Sequence, residues 1–145
     1  TFTWNAVPVG AYTLTAVATS DTGATRTSAP VVISVGAANA PPSVELTSPG
    51  NGASFGVGTT VALAATASDT DGTVQRVEFF AGTTKIGEDT TSPYTLSWTA
   101  PGVAGPVTLT AVAVDNAGAR TTSAPVSISL TQANSPPSVA ITTPV

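Results

Sequence analysis

The chain has 145 residues, of which 41% are hydrophobic and only 8% are charged, whereas about 25% of the residues in a typical soluble domain are charged. Its four basic residues are scattered and its net charge is −4, so the clustered Lys and Arg that nucleic-acid binding requires are missing. The sequence contains no Cys, Met or His, which excludes a disulfide scaffold and nucleophilic catalysis by a Cys or by a His-activated hydroxyl. The lack of easily oxidised side chains favours a secreted, extracellular protein. No apolar run approaches the roughly 20 residues that span a bilayer, so membrane insertion is not expected.

Short strands are predicted along the chain. Residues 1–35 contain three of them, in which Trp4, Leu14 and Ala16 are expected to face a partner sheet. The Pro-Pro pair in residues 36–42 is typical of an extended, semi-rigid linker. Seven further stretches then have strand composition and turn boundaries: SVELTS (43–48), TVALAATAS (60–68), VQRVEFF (74–80), TKIGED (84–89), YTLSW (94–98), VTLTAVAV (107–114) and APVSISL (124–130).

Strict alternation within these stretches indicates which side chains enter the core. In residues 60–68, Val61, Leu63 and Ala65 share one face, and Phe79 shares a face with Val77 in the next stretch. The opposite face of 74–80 carries Glu78, which we expect to pair with Arg76 in contact with solvent. No stretch of helical length shows a 3.6-residue period, so the chain is predicted to be all-β, with the strand number of a β-sandwich.

The chain also contains an internal repeat. YTLTAVATSDTGATRTSAPVVISV (12–35) returns as VTLTAVAVDNAGARTTSAPVSISL (107–130), and NAPPSVELTSP from Asn39 returns at the same spacing as NSPPSVAITTP from Asn134. Two long matches in one register indicate tandem duplication. The predicted organisation is the C-terminal half of one unit in 1–35, a linker in 36–42, a complete domain in 43–131, and a linker with the first strand of a further unit in 132–145.

Three stretches carry a family resemblance: PPSVELTSPGNGASF, SDTDGTVQRVEFFAGTTKIGEDTTSPYTLSW and LTAVAVDNAGARTTSAPVSI. They resemble the bacterial immunoglobulin-like repeat, a family found in tandem in surface proteins, adhesins and multidomain secreted polysaccharide hydrolases. The resemblance covers nearly the whole chain and implies immunoglobulin-like β-sandwiches of about seven strands with Greek-key connections. Tyr12-Thr-Leu14 resembles the Tyr-x-Cys of an immunoglobulin F strand, whereas Val107 takes the tyrosine position in the complete copy.

Acidic residues are expected at one end of the complete domain. Asp69 and Asp71 precede Gly72 in the loop after the second strand, and Asp115 follows the sixth strand. In an immunoglobulin sandwich these two loops share an end, where the chain also enters with Asn39. Carboxylate and carbonyl oxygens are the ligands that calcium prefers. Asp69, Asp71, Asp115 and Asn39 therefore form a candidate calcium site. Tight turns explain the same residues, because Asp or Asn before Gly favours a turn. Both interpretations stand at this point.

Aromatic side chains bear on carbohydrate binding, because sugars stack on exposed rings. Alternation assigns most of them to the core, namely Trp4, Tyr12, Phe79 and Trp98. Phe80 and Tyr94 are the candidates for outward-facing rings.

The residues and the resemblance together predict a non-catalytic structural repeat of an extracellular bacterial protein, used as a stalk, a spacer or a filament-forming adhesin module. The alternative is a carbohydrate-binding or linker accessory module of a secreted polysaccharide-degrading enzyme. The expected partners are neighbouring immunoglobulin-like repeats, in the same chain or in adjacent chains by strand addition.

Overall fold

The computed structural model describes residues 1–134 and 137–140, in two compact units, Thr1–Ala38 and Asn39–Val145. Regular secondary structure in the described residues consists of strands, and none of these residues belongs to a helix long and apolar enough to cross a membrane. The strands are β1 (Gly10–Leu14), β2 (Val17–Thr19), β3 (Thr25–Thr27), β4 (Val31–Val35), β5 (Ser43–Ser48), β6 (Ser54–Gly56), β7 (Thr60–Ser68), β8 (Val74–Ala81), β9 (Thr84–Asp89), β10 (Tyr94–Thr99), β11 (Gly105–Asp115), β12 (Arg120–Thr122) and β13 (Val126–Thr131).

The second unit is a β-sandwich. One sheet has the strand order β10-β7-β5, and the other has the order β6-β13-β11-β8-β9, with β12 paired to β11. Paired strands run antiparallel, except that β6 runs parallel to β13. Strands β5, β7 and β10 lie in the first sheet and the strands between and after them lie in the second, so the chain crosses between the sheets repeatedly. This arrangement confirms the predicted all-β, immunoglobulin-like class.

The core lies between the two sheets and follows the alternation of the sequence. Val61, Leu63 and Ala65 of β7 face Val77 and Phe79 of β8, and all five are buried. Full burial of a Val, Leu or Phe side chain stabilises the folded state by about 1.5–3 kcal/mol. The remaining buried hydrophobic members of the cluster are Leu46, Tyr94, Ala100, Leu109, Ala111, Ala113, Ile128 and Leu130.

Two short strands in the second unit were not predicted from the sequence. Both β6 and β12 have three residues, and neither contains an apolar alternation that a period could detect. The pairing of each strand depends on a longer neighbour, β13 for β6 and β11 for β12.

The first unit reproduces the strand pairing at the end of the second. Gly10 pairs with Val35 in β1 and β4, as Gly105 pairs with Leu130 in β11 and β13. Their surroundings differ, because Leu14 is 39% exposed whereas Leu109, the matching residue in the repeat, is 0% exposed. The sheet face that carries Leu109 is buried in the second unit, whereas the equivalent face at Leu14 is partly exposed to solvent in the first unit.

Tyr12 forms the hydrogen bond that its place in the F-like strand implies. Its hydroxyl donates to the carbonyl oxygen of Pro8 at 2.7 Å, which is the geometry of a tyrosine corner. The second unit has Val107 at the equivalent position, so it cannot form this bond.

The predicted first strand of a further repeat lies in residues 132–145. Its described residues, 132–134 and 137–140, contain no strand. The rest of that prediction lies outside the described residues.

Candidate functional site at the chain-entry end of the second unit

Three segments meet at one end of the second sandwich. Strand register brings them together, because Ser43 at the start of β5 pairs with Ser68 at the end of β7, and Val74 at the start of β8 pairs with Asp115 at the end of β11. The segments are the entering chain before β5, the loop of residues 69–73, and the loop of residues 116–119. The sequence-based expectation that Asp69, Asp71, Asp115 and Asn39 lie at this end agrees with these positions.

Asp115 organises its own loop and also holds the entering chain. Its Oδ1 accepts hydrogen bonds from the backbone amides of Ala117 at 2.9 Å and Ala119 at 2.8 Å. Its Oδ2 accepts a 2.7 Å hydrogen bond from Nδ2 of Asn39. The side-chain bond from Asn39 lowers the pKa of Asp115, burial opposes it, and the backbone amides lower the pKa further. Asp115 is therefore held as a carboxylate although it is only 1% exposed.

Asp71 holds the next residue of the entering chain. Its Oδ2 accepts a 3.0 Å hydrogen bond from the backbone amide of Ala40. Its own amide donates to Oδ1 of Asp69 at 3.3 Å, within the loop. Two successive residues, Asn39 and Ala40, are thus hydrogen-bonded to carboxylates on two different loops.

Asn116 joins the two loops to each other. Its Oδ1 accepts a 2.8 Å hydrogen bond from the amide of Thr73, and its amide donates to the carbonyl of Thr73 at 3.0 Å. Gly72 lies directly beneath this contact: a Cβ there would overlap Asn116 Oδ1 and stand 2.7 Å from Asp69 Oδ2. Both residues were expected in turns, Gly72 after Asp71 and Asn116 after Asp115, and nothing local in the sequence shows that these two positions pack together.

The candidate calcium ligands use most of their oxygens in these hydrogen bonds. Among the described residues, Oδ2 of Asp69 is the candidate oxygen that is both buried and without a hydrogen-bond partner. Within residues 1–134 and 137–140, no three His, Cys, Asp or Glu side chains are grouped so that they would hold a metal ion. Calcium binding by Asp69, Asp71, Asp115 and Asn39 stays a prediction.

The first unit has the same turn with a different residue. Ser20 occupies the position of Asp115, and its Oγ accepts a 3.1 Å hydrogen bond from the amide of Ala24. The amide of Gly23 donates to the Ser20 carbonyl at 3.0 Å, as the amide of Gly118 donates to Asp115 at 3.2 Å. A serine supports the turn, but it has no second oxygen to hold another segment.

A separate cluster of charges lies on the outer face of β8. Glu78 is 5% exposed, and it forms ion pairs with Arg76 at 2.9 Å, Lys85 at 3.2 Å and Arg120. Burial raises its pKa, but the hydrogen bonds from Arg120, Arg76 and Lys85 outweigh burial and lower the pKa to about 2. The predicted pairing with Arg76 is present, but the prediction of a solvated Glu78 was wrong, because the three long cationic side chains cover it.

The aromatic rings differ in how far they are buried. Tyr94 is buried, so the prediction that it faces outward was wrong, because it lies on the same side of β10 as the half-buried Trp98. Phe80 is half-buried on β8. In the first unit, Trp4 is 44% exposed and meets Tyr12 edge to face, with ring centroids 5.0 Å apart.

Comparisons with known proteins identify a family and a set of similar solved structures. The model of the family described as Bacterial Ig domain matches residues 42–111. The fibronectin(III)-like modules of Clostridium thermocellum CbhA are 35% identical, with a TM-score of 0.56, over 61% of this chain and 94% of that chain. No curated protein has a significant match to the sequence.

Weaker structural similarity extends to two larger proteins. A modular endo-beta-1,4-mannanase from Cellulomonas fimi is 22% identical, with a TM-score of 0.42, over 68% of this chain and 20% of that chain. The protein SGBP-B of Bacteroides ovatus, in complex with a mixed-linkage heptasaccharide, is 17% identical, with a TM-score of 0.31, over 84% of this chain and 30% of that chain.

Proposed function

This chain belongs to the bacterial Ig domain family, and from that premise we propose that it is a non-catalytic spacer or stalk module of an extracellular bacterial protein. The module holds the segments on either side of it at a set distance and direction. Its partners are other immunoglobulin-like repeats, in the same chain or in adjacent chains.

The double anchoring of the entering chain is the observation that carries this proposal. Asn39 is bound to Asp115 and Ala40 is bound to Asp71, so these two residues of the entering chain are fixed to the sandwich. A spacer needs such a joint, because a freely rotating linker would transmit neither direction nor force. The Pro41-Pro42 pair that follows favours an extended backbone and adds to the stiffness.

The chemistry of the chain supports a role without catalysis. The sequence has no His or Cys, and Lys85, a candidate amine nucleophile, is paired with Glu88 at 2.7 Å and with Glu78 at 3.2 Å. Pairing with carboxylates raises the pKa of Lys85, with the hydrogen bond to Glu88 as the main cause. A nucleophilic lysine needs the opposite shift.

Small-angle scattering on a protein of several tandem copies of residues 39–134 tests the spacer role. We expect an elongated rod, and we expect replacement of Asp115 and Asp71 by Ser to broaden the distribution of interdomain distances. A matched variant with Ser at Glu45, an exposed residue of β5, should leave the profile unchanged. A compact globular profile for the unmodified protein would contradict the proposal.

The exposed Trp4 ring, in edge-to-face contact with the half-buried Tyr12, favours a second candidate, carbohydrate binding by an accessory module of a polysaccharide-degrading enzyme. An exposed ring is suited to stacking on a sugar. Titration of the chain with soluble neutral polysaccharides, followed by Trp fluorescence, separates the two functions. A spacer gives no response. A binder gives quenching that disappears in Trp4→Phe and persists in Trp98→Phe.

A further inference from the structure

Two dipeptides in the second unit belong to the types most prone to spontaneous imide formation, Asn51-Gly52 and Asp71-Gly72. In both, the glycine has no side chain to hinder its amide nitrogen as that atom approaches the Cγ of the preceding residue. In an unstructured peptide the Asn-Gly type reacts faster, because ammonia leaves the intermediate more readily than the oxygen of a carboxylate does. The fold treats the two dipeptides differently.

Asn51-Gly52 is held by hydrogen bonds on both sides of the reacting atoms. The amide of Gly52 donates to the carbonyl of Ser127 at 2.7 Å. Oδ1 of Asn51 accepts a 2.8 Å hydrogen bond from the amide of Ser127. Attack of the Gly52 nitrogen on Asn51 would break both bonds to β13, so the folded state protects this dipeptide.

Asp71-Gly72 lacks that protection. Asp71 is exposed in the loop between β7 and β8. Among the described residues, the amide of Gly72 donates no hydrogen bond, although its neighbours at Asp71 and Thr73 both do. Within residues 1–134 and 137–140, the one hydrogen bond to the Asp71 carboxylate comes from Ala40 and uses Oδ2. The nucleophilic nitrogen is therefore free in the folded state.

The packing of the two loops explains why the reactive dipeptide persists. A side chain at Gly72 would overlap Asn116 Oδ1 and crowd Asp69 Oδ2. Any residue that slows imide formation by bulk would push the loops apart. The packing that joins the loops thus requires the glycine that makes Asp71 reactive.

We propose that Asp71 is a site of spontaneous aspartate isomerisation in the folded protein, and that the fold protects Asn51 from the corresponding deamidation. The Gly72 nitrogen forms a bond to Cγ of Asp71, and the carboxyl hydroxyl leaves with the amide proton as water. Water then adds to either carbonyl of the cyclic imide and opens it to aspartate or to isoaspartate. No oxidation or reduction occurs, and the water that is released balances the water that is consumed.

Isomerisation changes the joint at the entering chain. The isoaspartyl form adds a methylene to the main chain and turns the former main-chain carboxyl into the side group, so Ala40 loses the acceptor that Oδ2 provides. The loss of stiffness rests on the proposed spacer function, whereas the chemical reaction does not. The reaction and its mechanical consequence are therefore measured separately.

Ageing of the whole folded chain in heavy-oxygen water at mildly acidic to neutral pH tests the proposal. Peptide mass spectrometry with fragmentation that distinguishes isoaspartate should show label and isoaspartate at Asp71 and unchanged Asn51. In a urea-unfolded sample both sites should react, Asn51 faster. Asp71→Glu is the matched variant, because it keeps a carboxylate but disfavours the cyclic imide, and it should take up no label at this position.

Two results would overturn the proposal. One is reaction of Asn51 ahead of Asp71 in the folded protein, which would mean that the fold does not reverse the intrinsic order. The other is Asp71 that reacts in urea but stays unmodified in the folded chain. Failure of the spacer function in scattering, with isoaspartate still formed at Asp71, would leave the chemical inference standing.

Discussion

Asp115 binds Asn39 across 76 positions of sequence through a 2.7 Å hydrogen bond, and it uses its other carboxylate oxygen to hold its own loop. One side chain thus closes a turn and fixes the point where the chain enters the sandwich. In the first unit Ser20 closes the equivalent turn. Serine at this position closes the turn, whereas aspartate closes the turn and also binds the entering chain.

Replacement of Asp115 tests that separation. Asp115→Ser should lower the urea midpoint of unfolding less than Asp115→Ala, because a serine hydroxyl still accepts from the loop amides as Ser20 does. Asn39→Ala should cost about 1 kcal/mol, the usual net value of one hydrogen bond. In combination with Asp115→Ser it should cost nothing further, because both changes remove the same bond. Additive losses in a double-mutant cycle would show that the two side chains act independently.

Glu78 should make stability depend on acid pH. Its pKa is lowered from 4.5 to about 2 in the folded chain, so the unfolded state binds the proton more tightly. The stabilisation is therefore complete above pH 4.5 and is lost as the pH falls through about 2.

The variant Glu78→Gln provides the measurement. It should lose about 2 kcal/mol at neutral pH, as expected for hydrogen bonds to a charged group. Its free energy of unfolding should then change less with pH between about 4.5 and 2 than that of the unmodified chain. Parallel pH profiles for the two proteins would show that Glu78 is not the titrating group.

The repeat offers a matched pair of leucines. Leu109→Ala should destabilise the second unit by about 2–5 kcal/mol, because a fully buried leucine leaves a cavity. Leu14→Ala, at the equivalent but exposed position, should change the stability of the first unit by about 0.5 kcal/mol or less. Chemical denaturation of both variants measures the difference. Equal losses would mean that Leu14 is covered in solution.

Gly72 should tolerate no side chain. Gly72→Ala should cost about 1–3 kcal/mol, as overpacking does in well-packed sites, because the added Cβ meets Asn116 and Asp69. Gly102→Ala is the control, since a Cβ there meets nothing within 4 Å. Thermal unfolding of the pair checks this. A Gly72 variant as stable as the control would show that the loops adjust freely.

The candidate calcium site is also open to measurement. A calcium ion held by Asp69, Asp71, Asp115 and Asn39 raises the melting temperature, because binding to the native state adds RT ln(1 + [L]/Kd) to stability. The increase should disappear in Asp71→Ala. Identical melting curves in excess calcium and in EDTA would reject the calcium site, and these residues would then be turn residues.

Sequence patterns were sufficient to predict the longer strands of the second unit and most of their inward-facing apolar residues, but not the short strands β6 and β12. Alternation in β7 and β8 correctly identified Val61, Leu63 and Phe79 as core residues, because the two-residue period of a strand is a local property that apolar side chains record directly. The family motifs likewise determined the sandwich class.

The pairing of polar groups that are distant in sequence could not be read from local patterns. Arg120 covers Glu78 because β8 and β12 both pair with β11. Asn116 contacts Gly72 because the start of β8 pairs with the end of β11, which brings their two loops together. The family resemblance already placed Asn39 and Asp115 at one end of the sandwich, whereas the 2.7 Å hydrogen bond between them was not predicted. Such contacts depend on the register between strands that are far apart in sequence, and register arises from packing across the whole sandwich and leaves no local pattern in the sequence.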